Sequence, residues 1–254
     1  MSTEPSTPDP APHREIDADA DVVAGRDRPS DRVPLDRQRI IEEALRFIDE
    51  AGPAGLSMRR LGQRLGVEAM SLYRYMPGKE DLLDAIVEHL IGGMYADPEV
   101  LAEPRDSWQD FLMRLAHGVR RVALAHAKAF PLVASRPPEA PWLRPPLRNL
   151  DWVEMFLSGL VSEGFSREAA VAAYRAFTSF LLGSLLLEVA GLGADVGPLD
   201  TVEDGSREDL SLEGHPTVKL LRDDLAQDHA AQEFDEALES LLDRIELIKV
   251  QHPA

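Results

Sequence analysis

The sequence predicts an all-α chain: an N-terminal three-helix, helix-turn-helix head on a C-terminal helical bundle. Three observations predict it. Apolar residues recur every three or four positions through most of 35–250, the spacing of a helix face. No stretch alternates apolar and polar residues between turn signals, as a half-buried strand does. Two short helical runs within 57–76 meet at one glycine, the pattern of a helix-turn-helix.

Residues 1–34 hold six prolines, eight acidic and four basic residues, and almost nothing large and apolar. Burial cannot offset the ordering entropy of such a stretch, so it reads as a disordered arm. Its Arg26, Arg28 and Arg32 suit either a solvated tail or an arm laid along phosphates. From Leu35 the texture changes. Asp36 is an N-cap, and Ile40, Ile41, Ala44, Leu45, Ile48 and Ala51 follow at helical spacing until Gly52-Pro53 ends the run. A second helix starts at Ser57, with Leu61 and Leu65 one turn apart, and Gly66 breaks it. A third runs from about Glu68 to Met76, before Pro77-Gly78. A longer amphipathic helix then extends from Lys79 to about Tyr95, with Glu80 and Asp81 in its first turn, where the helix dipole favours them.

Beyond Pro98, segments near 107–127, 147–163, 167–190 and 230–250 read as helices, with prolines punctuating 131–146. Residues 191–214, rich in glycine and acid, read as a loop. The divisions expected are therefore a disordered arm at 1–34, a helix-turn-helix head at 35–81 and a helical bundle at 82–254, the last being, on the family resemblance set out below, a ligand-binding and dimerisation domain.

Charge bounds the function. With 27 Lys+Arg against 45 Asp+Glu the formal net charge is −18, which excludes a uniformly basic coat but not a local basic face. Residues 35–81 hold eight basic and eight acidic residues, so the head is neutral. Residues 1–34 carry −4, which leaves −14 beyond residue 81. Only an oriented head then approaches DNA, with strong salt dependence and weak non-specific binding. Cysteine is absent, which excludes disulfide scaffolds and thiol chemistry and suits a reducing cytoplasm. No signal-peptide h-region is visible, and the apolar runs fall short of the ~20 residues of a membrane span. A cytoplasmic protein without membrane attachment is expected.

The chemistry sits in 57–76. Leu61, Leu65, Val67 and Leu72 face inward, which leaves Arg59, Ala69, Met70, Ser71, Tyr73, Arg74 and Tyr75 outward. Arginine pairs with guanine edges or phosphates, tyrosine hydroxyls bond phosphates, and Met or Ala contacts a thymine methyl. An ordinary helical hairpin with aromatic packing is the other reading of the same pattern.

Several runs carry a family resemblance: Leu35-Asp36-Arg37-Gln38-Arg39-Ile40-Ile41, Ala44-Leu45, Ala51-Gly52, and Gly55-Leu56-Ser57-Met58-Arg59-Arg60-Leu61. Leu65-Gly66-Val67, Ser71-Leu72-Tyr73-Arg74-Tyr75 and Lys79-Glu80-Asp81-Leu82-Leu83 continue it. Over about 35–95 the chain resembles the TetR family of transcriptional regulators, in its tetracycline-repressor-like branch. The resemblance implies that Arg59 reaches a base or phosphate. It implies that Ala69, Met70, Ser71, Arg74 and Tyr75 form the recognition surface, and that Tyr73 and Lys79 hold phosphates. Ala69-Met70-Ser71 stands where the tetracycline repressor has Gln-Pro-Thr, and Arg74-Tyr75 where it has Trp-His, so a different operator is expected.

The resemblance also implies a double-stranded DNA operator, a homodimer, and a small-molecule pocket among the later helices. Pocket candidates are Phe111, His117, Asn149, Trp152, Phe156 and Phe177, with His126 and Thr178 as further polar lining. The C-terminal seam Phe234, Leu238, Leu241 and Ile245, with Leu181 and Leu185, suits either a four-helix dimer interface or the chain's own core. No cofactor, metal site or catalytic residue is expected, since the sequence has no Glu-x-x-His, His-Glu-x-x-His, phosphate loop or Gly-x-Ser-x-Gly. The function implied is repression relieved by an effector. Activation, a helical interaction module and a cofactorless enzyme stay open on the residues alone.

Overall fold

The computed structural model describes residues 34–96, 107–137, 139–140, 142–145, 149–197, 212 and 214–253. The arm, except Pro34, and most of the 191–214 loop lie outside the described residues. The helices form α1 (Arg37–Ala51), α2 (Met58–Leu65), α3 (Ala69–Leu72), α4 (Lys79–Ala96), α5 (Trp108–Ala125), α6 (Pro131–Ser135), α7 (Leu150–Ser162), α8 (Arg167–Gly191), α9 (Pro216–Leu220), α10 (Arg222–Leu225) and α11 (Ala230–Gln251). No strand occurs among the described residues, and all these helices belong to the one unit Leu35–Ala254.

Local chemistry starts these helices. Asp36 accepts a hydrogen bond from the Arg39 amide (2.8 Å), and Ser57, Ser107, Asn149 and Ser166 cap α2, α5, α7 and α8 in the same way. Each such cap contributes about 1 kcal/mol. Two glycines make the turn between α2 and α3. Gly66 takes the left-handed conformation (φ 70°) that L side chains rarely adopt. A Cβ on Gly62 would stand 2.9 Å from the Val67 carbonyl, so only glycine lets α3 approach α2 this closely.

The third helix is shorter than its sequence suggests. Helix α3 ends at Leu72, and Tyr73, Arg74 and Tyr75 lie in a turn. The Tyr75 amide bonds the Leu72 carbonyl (2.9 Å), a tightened closing turn. Pro77 disfavours helical geometry at Met76, so the chain does not continue as helix beyond this turn.

The head's core is Ile40, Ile41, Ala44, Leu45, Ile48, Leu61, Leu65, Leu72 and Met76, with Val67 partly buried beside it. It continues without a break into the bundle, where α4 packs on α1, α5 and α6. In the bundle α8 is central and packs on α5, α7 and α11. By length and composition α8 is apolar enough to cross a bilayer, longer than the sequence reading allowed; here its apolar side is the core of the bundle. The α11 helix runs antiparallel to it. Phe234 near its start meets Phe180 (5.7 Å between ring centroids), and Lys249 near its end sits over Phe165 (4.9 Å) just before α8.

Candidate nucleic-acid interface and ligand cavity

The α2–α3 unit presents Arg59, Met70, Ser71, Tyr73 and Arg74 to solvent, with Met70 75% and Tyr73 43% exposed. Ala69 and Lys79 are half-buried. Tyr75 departs from the outward placement expected, because it is half-buried and packs against the core.

Charge partners divide the head's cations. Arg64 donates to Glu43 (2.6 Å) and to both carboxylate oxygens of Glu50 (2.6 and 3.0 Å), and lies over the Phe47 ring (5.4 Å). Those carboxylates hold its proton more firmly than usual. Arg46 pairs with Glu43, Arg37 with Glu88, and Arg60 donates to the Gly55 carbonyl (3.0 Å). Arg59, Arg74 and Lys79 have no hydrogen bond or ion pair among the described residues. The cations without partners are the ones placed on the expected DNA face. A free exposed guanidinium exchanges only water and counterions when it meets a phosphate or a base edge.

Within the bundle an apolar cavity of about 30 Å³ lies between α4, α5, α6, α7 and α8. Ile91, Val119, Phe130, Val133, Trp152, Phe177, Leu181 and Leu182 supply apolar walls, and Asn149 and Thr178 the polar ones. Asn149 uses its side-chain oxygen to cap α7 (2.8 Å from the Trp152 amide), and its amide nitrogen takes no part in that cap. Of the expected pocket residues, Asn149, Trp152, Phe177 and Thr178 line this cavity, and the other four do not. Phe111 is buried against Gly159, and Phe156 meets Tyr174 edge-to-face and Phe177 at a tilt. His117 sits beside Asp235 (3.8 Å) at the edge of α11, and His126 bonds Asp49 in the head (2.8 Å). Ile91, Val119, Val133 and Leu182 were not singled out in the sequence, and Leu181 was assigned there to the dimer seam instead. Among the described residues no three His, Cys, Asp or Glu side chains converge, and an amide and a hydroxyl are a poor donor set for a metal.

The sequence of residues 101–248 matches the model for the tetracyclin repressor-like C-terminal domain, and 40–86 the model for bacterial regulatory proteins of the tetR family. The tetracycline repressor of class A from transposon 1721 in Escherichia coli is 33% identical over 159 residues, 62% of this chain and 68% of that protein. The chain belongs to the TetR family.

Classes D, H, C, G and E of the tetracycline repressor are matched over 66–70% of their lengths. Among solved structures, a possible TetR family regulator from Streptomyces coelicolor A3(2) superposes with a TM-score of 0.66. It is 30% identical over 84% of this chain and all of that one. A TetR variant from Acinetobacter baumannii AYE, in complex with minocycline, gives a TM-score of 0.60. It is 25% identical over 85% of this chain and 99% of that one. The chain is thus a TetR-family transcriptional regulator with a ligand-binding C-terminal domain.

The expected dimer seam is occupied within this TetR-family chain. Leu185, Phe234, Leu238 and Ile245 are buried in it, Leu241 is half-buried, and Leu181 lines the cavity. The four-three-four spacing of α11 is satisfied by its antiparallel neighbour α8. Gly183 and Leu187 on α8, and Leu247 and Val250 on α11, remain exposed.

Proposed function

We propose that this protein is a cytoplasmic, non-catalytic repressor that binds a palindromic operator as a homodimer and is released by a small-molecule effector. The observation that carries the DNA reading is the set of free cations, Arg59, Arg74 and Lys79, around exposed Met70, Ser71 and Tyr73 in a head whose other arginines are bonded. Arg59 and Arg74 take base edges or phosphates, Tyr73 and Lys79 phosphates, and Ala69, Met70 and Ser71 the groove floor. Tyr75, half-buried, acts by supporting the turn. The domains are the arm at 1–34, the head at 35–81 and the bundle from 82, and the dimer contact uses Gly183, Leu187, Leu247 and Val250.

The effector occupies the cavity, with Asn149 and Thr178 as its polar contacts. Ligand pockets are typically ~300–1,000 Å³, far above the about 30 Å³ seen here. An effector therefore binds a form in which the helices have moved apart. Ile91 is one wall, and α4, which carries it, begins at Lys79 beside the head. Opening the cavity moves α4 and changes the spacing of the two heads. Release is then the effector's preference for the open form, and cannot exceed it.

Selection of bound DNA from a random duplex pool tests this reading. A palindromic consensus with half-sites about one turn, 34–36 Å, apart supports it. Recovery of unrelated sequences by folded protein refutes it.

A further inference from the structure

Contacts between head and bundle run along α4, and also through a second place that bypasses it. His126, the C-cap of α5, donates from Nδ1 to Oδ2 of Asp49 (2.8 Å) near the end of α1. Lys128 donates from Nζ to the backbone carbonyl of Glu50 (2.7 Å). That carbonyl is among the last four of α1, which no amide of the helix reaches, and a cation suits the negative end of the helix dipole. The same turn leads straight to the cavity. The Phe130 amide bonds the His126 carbonyl (2.9 Å), and the fully buried Phe130 ring is cavity wall.

The grip is not fully satisfied. Asp49 Oδ1 is buried and accepts no hydrogen bond among the described residues. An orphaned carboxylate oxygen offsets part of what the contact contributes, so the joint opens at small cost.

We propose that His126 and Lys128 clamp the end of α1 at Asp49 and Glu50 and are positioning residues for operator binding. Whatever fills the cavity displaces Phe130, and the turn that carries Phe130 carries the clamp. The head is thus coupled to the cavity directly, in parallel with α4. The proposal rests on the effector reading above, and its test separates the two.

Leu181→Trp, on α8 and away from the clamp, overfills the cavity and stands in for a bound molecule. D49A/K128M opens the clamp. Affinity is measured for the duplex that the wild-type protein recovers from a random pool, using wild type, L181W, D49A/K128M and the triple variant, each checked for cooperative melting. L181W is expected to weaken binding about tenfold in the wild-type background, and less than about threefold with the clamp open, a difference within the range of allosteric couplings. Equal losses in both backgrounds overturn the clamp and leave the effector reading standing. No loss in either background, with folded protein, overturns both. If L181W does not fold, Val119→Phe fills the same cavity from α5 and is read in the same way.

Discussion

Arg64 and Arg74 sit in one small head and have opposite fates. Arg64 is held by Glu43 and Glu50 and covered by Phe47. Arg74 is exposed and has no partner among the described residues. A guanidinium in two ion pairs must break both before it meets a phosphate, whereas a free one gives up only water. The difference teaches that the number of basic residues in a neutral head says little about DNA binding. What matters is which carboxylates the fold brings to which cation.

The comparison is broken or sharpened by substitution. The largest effect is expected at Arg74. Arg74→Ala should weaken operator binding about 10–100-fold, the range for loss of a base contact, and leave thermal melting unchanged. Fluorescence anisotropy titration beside a melting curve reads both, and a destabilised variant with undiminished affinity would reverse the assignment. Next is Gly62→Ala, which forces the Val67 carbonyl away. Overpacking of this kind costs about 1–3 kcal/mol, measured by urea unfolding, with DNA binding falling in parallel.

Arg64→Met should do the reverse of Arg74→Ala, lowering the melting temperature while the folded fraction keeps its operator affinity. It also has a pH signature. The hydrogen bond from Arg64 holds the Glu50 carboxyl below its ordinary value. Glu50 therefore contributes stability at neutral pH that is lost as pH falls through the lowered value. Melting curves against pH should show part of that acid loss missing in R64M. The smallest effect lies in alkali. Burial pushes Tyr174 up from 10.0 to about 12, with a hydrogen bond from Thr178 opposing it. Its contribution is complete below pH 10.0 and is lost as pH rises towards about 12. Tyr174→Phe should flatten that decline in a pH series of melting curves.

Much of the head was legible in the sequence because its signals are local. Asp36, Ser57 and Gly66 act on backbone within a few residues, and the three-to-four spacing of Ile40 to Ile48 needs no partner to be read. The shortness of α3 was not, since Tyr73-Arg74-Tyr75 suits a helix as well as a turn, and Pro77 marks an end only at Met76. The role of Gly62 was missed because its constraint comes from the Val67 carbonyl on the far side of the turn. In the bundle, Phe111, Phe156 and Phe177 are alike in a sequence, and only packing shows that Phe177 alone of the three reaches the cavity. Likewise the seam of α11 has the spacing of any packing face, and the spacing does not say whether the partner is the chain's own α8 or another copy.

The central claim is that the α2–α3 face with its free cations is the face laid on DNA. The absence of cysteine allows one thiol to be placed at will. A DNA-cleaving iron chelate attached at Glu68→Cys, beside α3, is compared with the same reagent at Ser158→Cys on the exposed side of α7. The account predicts cuts from the first position clustered in two half-sites about one helical turn apart, and none clustered from the second. Cuts of equal strength and spread from both positions, in folded and DNA-bound protein, would contradict it.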